Sequence, residues 1–255
     1  MKNLKIEVCA ASVQSAINAQ KAGAHRIELC GALELGGLTP SASAILLARA
    51  LVDIDIFVLI RPRPGDFHYT PLEFETIKRD ILFCKNVKTD DGKKINGVVL
   101  GLLHKDGTID VERTQELIQL AAPMQVTFHR AFDGVADPFV ALEKIIEAGA
   151  HCLLTSGQRA NAYDGKVLLQ QLVEKANGRI KIMPGAGVNA QNIVELVRTT
   201  RAETFHLSGK GLIKSPMTSV NPHLQLSKNG ISENDYFETD VEKVSAVVGL
   251  MMSDK

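Results

Sequence analysis

Lys21-Ala-Gly-Ala-His-Arg-Ile-Glu-Leu-Cys-Gly31 and Glu147-Ala-Gly-Ala-His-Cys-Leu-Leu-Thr-Ser-Gly157 are two versions of one segment, 126 residues apart. In each, a helix runs into Ala-Gly-Ala, the glycine stops it, and a short apolar strand begins at the histidine. The offset is close to half of the 255 residues. It therefore predicts a doubled architecture of four βα units followed by four more. The fold expected is an α/β chain closed into an eight-stranded parallel (β/α)8 TIM barrel. In such barrels the chemistry lies at the carboxyl ends of the strands.

Size and composition agree with one barrel domain over 1–255, with a core of about 4–209 and a C-terminal extension over 210–255. Barrels of this kind take about 250 residues. The 29 basic and 29 acidic residues cancel, and no basic run is interleaved with aromatics, so nucleic acid is not an expected partner. The start, Met1-Lys-Asn-Leu-Lys-Ile, has no apolar leader. No stretch reaches the ~18 apolar residues of a membrane span, so no membrane partner is expected. Cys9, Cys30, Cys84 and Cys152 are widely spaced and form no CxxC pair. Such a set is expected to remain as thiols, which places the chain in the cytoplasm.

Strands are expected at 4–9, 25–30, 56–61, 96–102, 125–130, 151–155, 179–184 and 204–208. Helical patterns lie between them at 12–22, 41–52, 71–86, 110–121, 137–148, 164–176 and 189–199. Asp137-Pro138, Thr70-Pro71 and Thr39-Pro40-Ser41 mark helix starts. The stretch 210–238 reads as an irregular surface excursion or oligomer contact, followed by a helix over 239–252. An open doubly wound sheet is the alternative, and the half-chain repeat argues for closure.

Several strands alternate apolar with polar residues. Ile6 and Val8 alternate with Glu7 and Cys9; Ile27 and Leu29 alternate with Arg26, Glu28 and Cys30. Val126 and Phe128 alternate with Thr127 and His129; Phe205 and Leu207 alternate with His206 and Ser208. The apolar set must meet the helices, so the polar set faces the barrel axis. Charges gathered there must pair or line a polar site at the mouth. Glu7, Glu28, His129 and Asp133 are the candidate acid-base groups, while the same glutamates could instead pair with Arg26, Arg61 or Arg63. His206 alone reads as a core histidine. His25 and His151 begin their strands at the opposite end and read as structural. Cys84 and Cys152 read as packing residues, and Cys9 and Cys30 could be small buried hydrophobes as well.

The loops after the strands carry the anion chemistry. Arg61-Pro-Arg-Pro-Gly-Asp-Phe67 offers Arg61 and Arg63 as a pair for a carboxylate or phosphate. Thr127-Phe-His-Arg-Ala-Phe-Asp133 places Arg130 beside His129 and Asp133. Ser156 ends strand six, Gly185 and Gly187 follow strand seven, and Ser208 and Gly209 follow strand eight. Glycine turns at those two strands suit a phosphate. Asp66, His68 and Asp133 could bind a divalent ion, although they lack the spacing of a closed zinc site. Cys9 and Cys30, on neighbouring strands and both facing inward, would offer soft thiolates suited to Cu(I).

Arg26-Ile-Glu-Leu-Cys30, Gly36-Gly-Leu-Thr-Pro-Ser41, Arg61-Pro-Arg-Pro-Gly-Asp-Phe67, Thr127-Phe-His-Arg-Ala-Phe-Asp133 and Leu154-Thr-Ser-Gly157 occur in this order. Together they resemble the CutC family of copper-homeostasis proteins. The resemblance covers about residues 4–209. It implies a (β/α)8 barrel in the cytoplasm, a homodimer or higher homo-oligomer, and copper as the ligand. Cys9 and Cys30 match cysteines of the family pattern, with His129 or His206 as possible helpers. The residues of the mouth also fit an enzyme acting on a small phosphorylated or carboxylated metabolite. The chain beyond about 210 lies outside the matched motifs.

Overall fold

The structure is a computed structural model, in which residues 4–219, 221, 223 and 234–253 are described. Strands and helices alternate as β1 (Lys5–Ala10), α1 (Val13–Lys21), β2 (Arg26–Leu29), α2 (Ala42–Leu51), β3 (Asp55–Leu59) and α3 (Pro71–Asn86). They continue as β4 (Gly97–Leu100), α4 (Val111–Ala121), β5 (Gln125–Phe128), α5 (Pro138–Ala148), β6 (Cys152–Thr155) and α6 (Lys166–Ala176). The last barrel elements are β7 (Lys181–Pro184), α7 (Ile193–Thr200) and β8 (Thr204–Leu207). All ladder pairings in the main sheet are parallel, in the order β7-β6-β5-β4-β3-β2-β1-β8. β7 packs beside β8 across the remaining seam and nearly closes the barrel.

The helix starts follow from their caps. Thr70 and Glu73 form a reciprocal capping box ahead of Pro71, and Asp137 accepts from the Phe139 and Val140 amides ahead of the α5 turn. Gly149 ends α5 at φ +91°, a conformation that favours glycine. The two histidines of the repeat do the same job. His25 Nδ1 accepts from the Ile6 amide, and His151 Nδ1 accepts from the Val126 amide, each at 3.1 Å. Each ring thus ties the start of one strand to the strand before it. The repeat therefore survives as a shared backbone device at the amino end of the barrel.

The apolar half of each strand packs outward under the helices. Ile6, Val8, Ile27, Leu29, Val126, Phe128, Phe205 and Leu207 all belong to this main core. The barrel axis holds two smaller apolar groups, one of Cys9, Cys30, Phe57, Leu59 and Val99 and one of Cys152, Leu154 and Met183. Cys84 and Cys152 are buried packing residues, and burial pushes their thiols up to about 12 and about 11.

The stretch 210–238 is not wholly irregular. Its two ends, β9 (Lys210–Ile213) and β10 (Tyr236–Thr239), pair antiparallel and lead into α8 (Val241–Ser253). Tyr236-Phe-Glu-Thr239 is rich in β-forming residues, but Lys210-Gly-Leu-Ile213 has only Ile213, and the long connection between them lacks the two-residue turn by which a hairpin is recognised. Residues 220, 222 and 224–233 of that excursion lie outside the described residues. Among the described residues, no helix is long and apolar enough to cross a membrane.

Candidate functional site

Strand register assembles the polar centre. Glu7 lies opposite Arg26 on β2 and opposite His206 on β8, while Cys9 lies opposite Glu28. Because alternate residues share a face, all of these side chains turn to the axis together. Arg26 Nε sits 2.5 Å from Glu7 Oε2, and His206 Nδ1 lies 2.7 Å from Glu7 Oε1. On the other side of the ring, His206 Nε2 is 3.5 Å from Glu28 Oε2. Cys9 and Cys30 are both free thiols, and their sulfurs are 3.5 Å apart.

Burial sets the protonation of this centre. Glu7 is fully buried; that alone would raise its carboxyl, but Arg26 and His206 outweigh it and hold Glu7 below the usual carboxylate range. Burial pushes the Glu28 carboxyl up to about 7, with Glu7 adding to the rise and His206 and Arg26 opposing it. Burial would lower His206, but its bond to Glu7 and the nearness of Glu28 raise it. The Cys9 thiol is raised well above its ordinary value by its contact with Cys30, then by burial and the glutamates.

Above this centre opens a cavity of about 240 Å³, lined among others by Cys9, Glu28, Cys30, Arg61, His129 and His206. A second cavity of about 550 Å³ adjoins it at Cys9 and Ser208 and is walled by the β9–β10 hairpin. Cys9 thus reaches both openings of the mouth. The His129 ring crosses the end of β4 because residue 101 has no side chain. A Cβ on Gly101 would come within 2.4 Å of His129 Nδ1. That Nδ1 accepts from the Ala131 amide, so the proton of the neutral ring belongs on Nε2, a buried atom with no partner.

Burial, aided by the Arg61 charge, pushes the His129 ring down to about 3. Its unfolded value is about 6.5, so between these limits the unfolded chain takes up the proton and the folded one does not. The His129 contribution is therefore complete above about pH 6.5 and is lost as the pH falls toward 3. Urea midpoints measured across that window should fall less steeply for His129→Gln than for the natural chain; parallel curves would refute the assignment.

The structure separates the two arginines that the sequence placed together. Arg61 is at the mouth, but its Nη1 donates to the Leu35 and Gly37 carbonyls and its Nη2 to that of Gly65. Its Nε is buried and unpartnered, and one N–H of Nη2 is left beyond these three bonds. Arg63 turns away from the cavity to Glu73 and Asp66, over the Tyr69 ring. The expectation of an arginine clamp is corrected accordingly: the proline-rich turn sends residues 61 and 63 in different directions, and nearby carbonyls and carboxylates take up their donors. Asp66 is thereby occupied, and His68 contacts the Leu103 carbonyl, so neither meets Asp133.

Asp133 is likewise placed as a scaffold group rather than an acid-base group in the cavity. Its carboxylate accepts from Thr155 Oγ1, the Ser156 and Gln158 amides, and Arg130 Nε. Ser156 is fully buried and committed to Asp133 and the Arg159 carbonyl. Arg130, at the rim of the smaller cavity, is the member of this group with access to a ligand. Asp133→Ala should cost about 2–4 kcal/mol in urea unfolding, because each stranded buried donor costs about 1–3 kcal/mol. A loss below about 0.5 kcal/mol, the range of ordinary surface changes, would contradict that role.

The glycine turns are also divided. Gly187 and Ser208 line the smaller cavity, and with Gly209 they line a separate cleft beside α8. Gly185 has no room for a side chain, since a Cβ would meet Leu154 Cδ1 at 2.5 Å. The N-terminus of α8 already holds the Asp240 carboxylate, which accepts from the Glu242 and Lys243 amides. An anion at that helix end would meet like charge, which weakens the expected phosphate cradle.

His206 is the central residue that the list of acid-base candidates lacked. Its signal was the alternation His206, Ser208 on β8, but its meaning depends on β8 returning beside β1. Fold and site together define a (β/α)8 barrel with a buried carboxylate–histidine–thiol centre at its carboxyl mouth. The profile of the CutC family matches residues 4–211, and the chain belongs to that family. Family protein CutC of Parabacteroides distasonis is 45% identical over 245 residues, 95% of this chain and 98% of the relative. That of Chromobacterium violaceum is 44% identical over 242 residues, covering 95% and 96%. The crystal structure of the "putative copper homeostasis protein CutC" from Streptococcus agalactiae aligns at a TM-score of 0.74 and 30% identity, over 80% of this chain and 98% of that one. Phosphoribosylanthranilate isomerase from Thermotoga maritima, at 10% identity and a TM-score of 0.57 over 98% of this chain and 99% of its own, shares the fold alone.

Proposed function

We propose that this protein serves copper homeostasis in the cytoplasm by binding Cu(I) at the barrel mouth through Cys9 and Cys30. The observation that carries the reading is the pair of free thiol sulfurs 3.5 Å apart beside an open cavity. Soft thiolates favour Cu(I), and the donor set therefore fits the metal that the family description implies. Copper is cargo in this reading, and Cys9, which borders both cavities, is the donor through which it enters and leaves. His206, oriented by Glu7, supplies the nearby imidazole. Because both thiols must lose their protons on loading, copper affinity rises with pH. A homodimer or higher homo-oligomer is the expected assembly, supported by the exposed Leu46, Leu47 and Leu51 on α2.

The test is an anaerobic Cu(I) titration against a chromophoric chelator. Tight binding by the natural chain, lost in Cys30→Ser and kept in Arg61→Ala, is the expected result. Weak binding that ignores Cys30→Ser would overturn the copper reading.

A second reading is favoured by the unpartnered His129 Nε2 and by a Glu28 carboxyl near about 7. In it the cavity is the site of an enzyme acting on a small carboxylated or phosphorylated metabolite. Glu28 and His206 would move protons, Glu7 would hold His206, and Arg130 and His129 would meet the anion. Loss of metabolite binding in His129→Ala, with Cys30→Ser silent, supports this reading; the reverse pattern rejects it.

A further inference from the structure

The thiol pair does not use all the metal-binding capacity of the mouth. Cys9 Sγ, a Glu28 carboxylate oxygen and a His206 ring nitrogen lie within 4.8 Å of one another, and the Cys30 sulfur is outside that group. We propose a second metal site in the barrel, in which Cys9, Glu28 and His206 bind a borderline divalent ion of the Zn(II) class and leave its fourth position open to the cavity. This inference does not depend on Cu(I) binding, although both sites draw on Cys9.

Three features support it. The first is donor chemistry. One thiolate, one imidazole and one carboxylate form a mixed set suited to Zn(II), whereas Cu(I) prefers thiolates. The second is geometry. Bonds of about 2.0–2.3 Å at tetrahedral angles put ligand atoms about 3.3–3.7 Å apart. His206 Nε2 and Glu28 Oε2 are 3.5 Å apart, so this edge of the tetrahedron is already formed. Cys9 lies opposite Glu28 in the ladder and needs only a small side-chain shift to complete the face.

The third is the orientation of the imidazole. A metal-binding histidine commonly gives its other N–H to a carboxylate, which fixes the ring and its tautomer. His206 does so here: Nδ1 is 2.7 Å from Glu7 Oε1, which leaves Nε2 for the ion, and Arg26 holds Glu7 in turn. Glu28 already interacts with the other two members of the group, His206 at 3.5 Å and the Cys9 thiol, so an ion bound there would replace contacts within the set. Three protein donors and an open position facing a cavity describe a reactive metal site rather than a structural one, since structural zinc sites are closed by four. With Arg61 and Arg130 on the cavity wall, the open position suits water or the oxygen of a small anion.

Co(II), a spectroscopic substitute for Zn(II), separates this site from the thiol pair. The full chain, titrated anaerobically, should bind one Co(II) with a thiolate-to-metal charge-transfer band and tetrahedral visible bands, and Zn(II) should displace it. Binding should weaken more than about 100-fold in Glu28→Gln, beyond the 10–100-fold typical of changes around a ligand. It should stay within a fewfold of the natural value in Cys30→Ser. Cu(I) titrations of the same two variants should give the opposite pattern, so failure of one site is distinguishable from failure of the other. Absence of a thiolate–Co(II) band in the natural chain, or Co(II) binding lost in Cys30→Ser and kept in Glu28→Gln, would overturn the proposal.

Discussion

Glu7→Ala is expected to lower the unfolding free energy by about 3–5 kcal/mol, the cost of breaking a buried ion pair by removing one partner. The reason lies in what Arg26 has left. Its other contacts include the Cys152 thiol, the Met183 sulfur at 3.5 Å and the Phe57 ring at 4.1 Å, and none of these is an anion that would neutralise its charge. Arg26→Met alone should be destabilising as well, because it removes the cation from Glu7 Oε2 and leaves the carboxylate to its bond with His206. The double variant should recover most of the loss, since an apolar replacement of both charges is often neutral. A urea-unfolding double-mutant cycle measures the coupling, and additive single effects would show that the pair is not the linchpin of the barrel interior. Acid should act in the same direction. Glu7 is held below its unfolded value, so the stabilisation is complete above the unfolded carboxylate pKa and is lost as the pH falls through the folded one.

Cys9→Ser is the substitution with the widest expected effect on binding. Its sulfur is shared by the thiol pair and by the group with Glu28 and His206. Removing it should weaken Cu(I) and Co(II) binding each by more than about 100-fold, whereas Glu7→Gln, one step further from the metal, should cost about 10–100-fold. Thermal unfolding of Cys9→Ser should change less by comparison, because the replacement is close in shape, although it is slightly smaller and brings a hydroxyl into an apolar group. Retention of both metals by Cys9→Ser would reject both assignments at once.

The barrel was legible because a repeat declares itself locally. Gly149 stopping a helix and His25 or His151 pinning a strand start depend on residues close in sequence, and both copies carry them. The inward set was legible from the two-residue period of β1, β2, β5 and β8. The meeting of Glu7 with His206, 199 residues apart, was not, because it needs the register of β8 against β1. The two copies have also diverged where chemistry begins. Glu28 and Cys30 stand in the first where Leu154 and Ser156 stand in the second, so the polar centre lies to one side of the axis.

The arginine loop is ambiguous in sequence for a different reason. Its residues have the right chemistry for an anion, but an arginine is as easily satisfied by main-chain carbonyls. Arg61 binds the turn before α2, and Arg63 serves the start of α3 through Glu73. Asp133 shows the same ambiguity, since a carboxylate beside a histidine in sequence became the acceptor that organises the end of β6. Side-chain spacing alone does not distinguish a group that waits for a ligand from one already satisfied within the loop.

The most direct test of a copper site at this mouth is X-ray absorption at the copper edge of the Cu(I)-loaded chain, beside Cys30→Ser. Two sulfur neighbours in the natural chain, falling to one in the variant, is the predicted result. Copper surrounded only by nitrogen and oxygen, or a spectrum unchanged by Cys30→Ser, would contradict it.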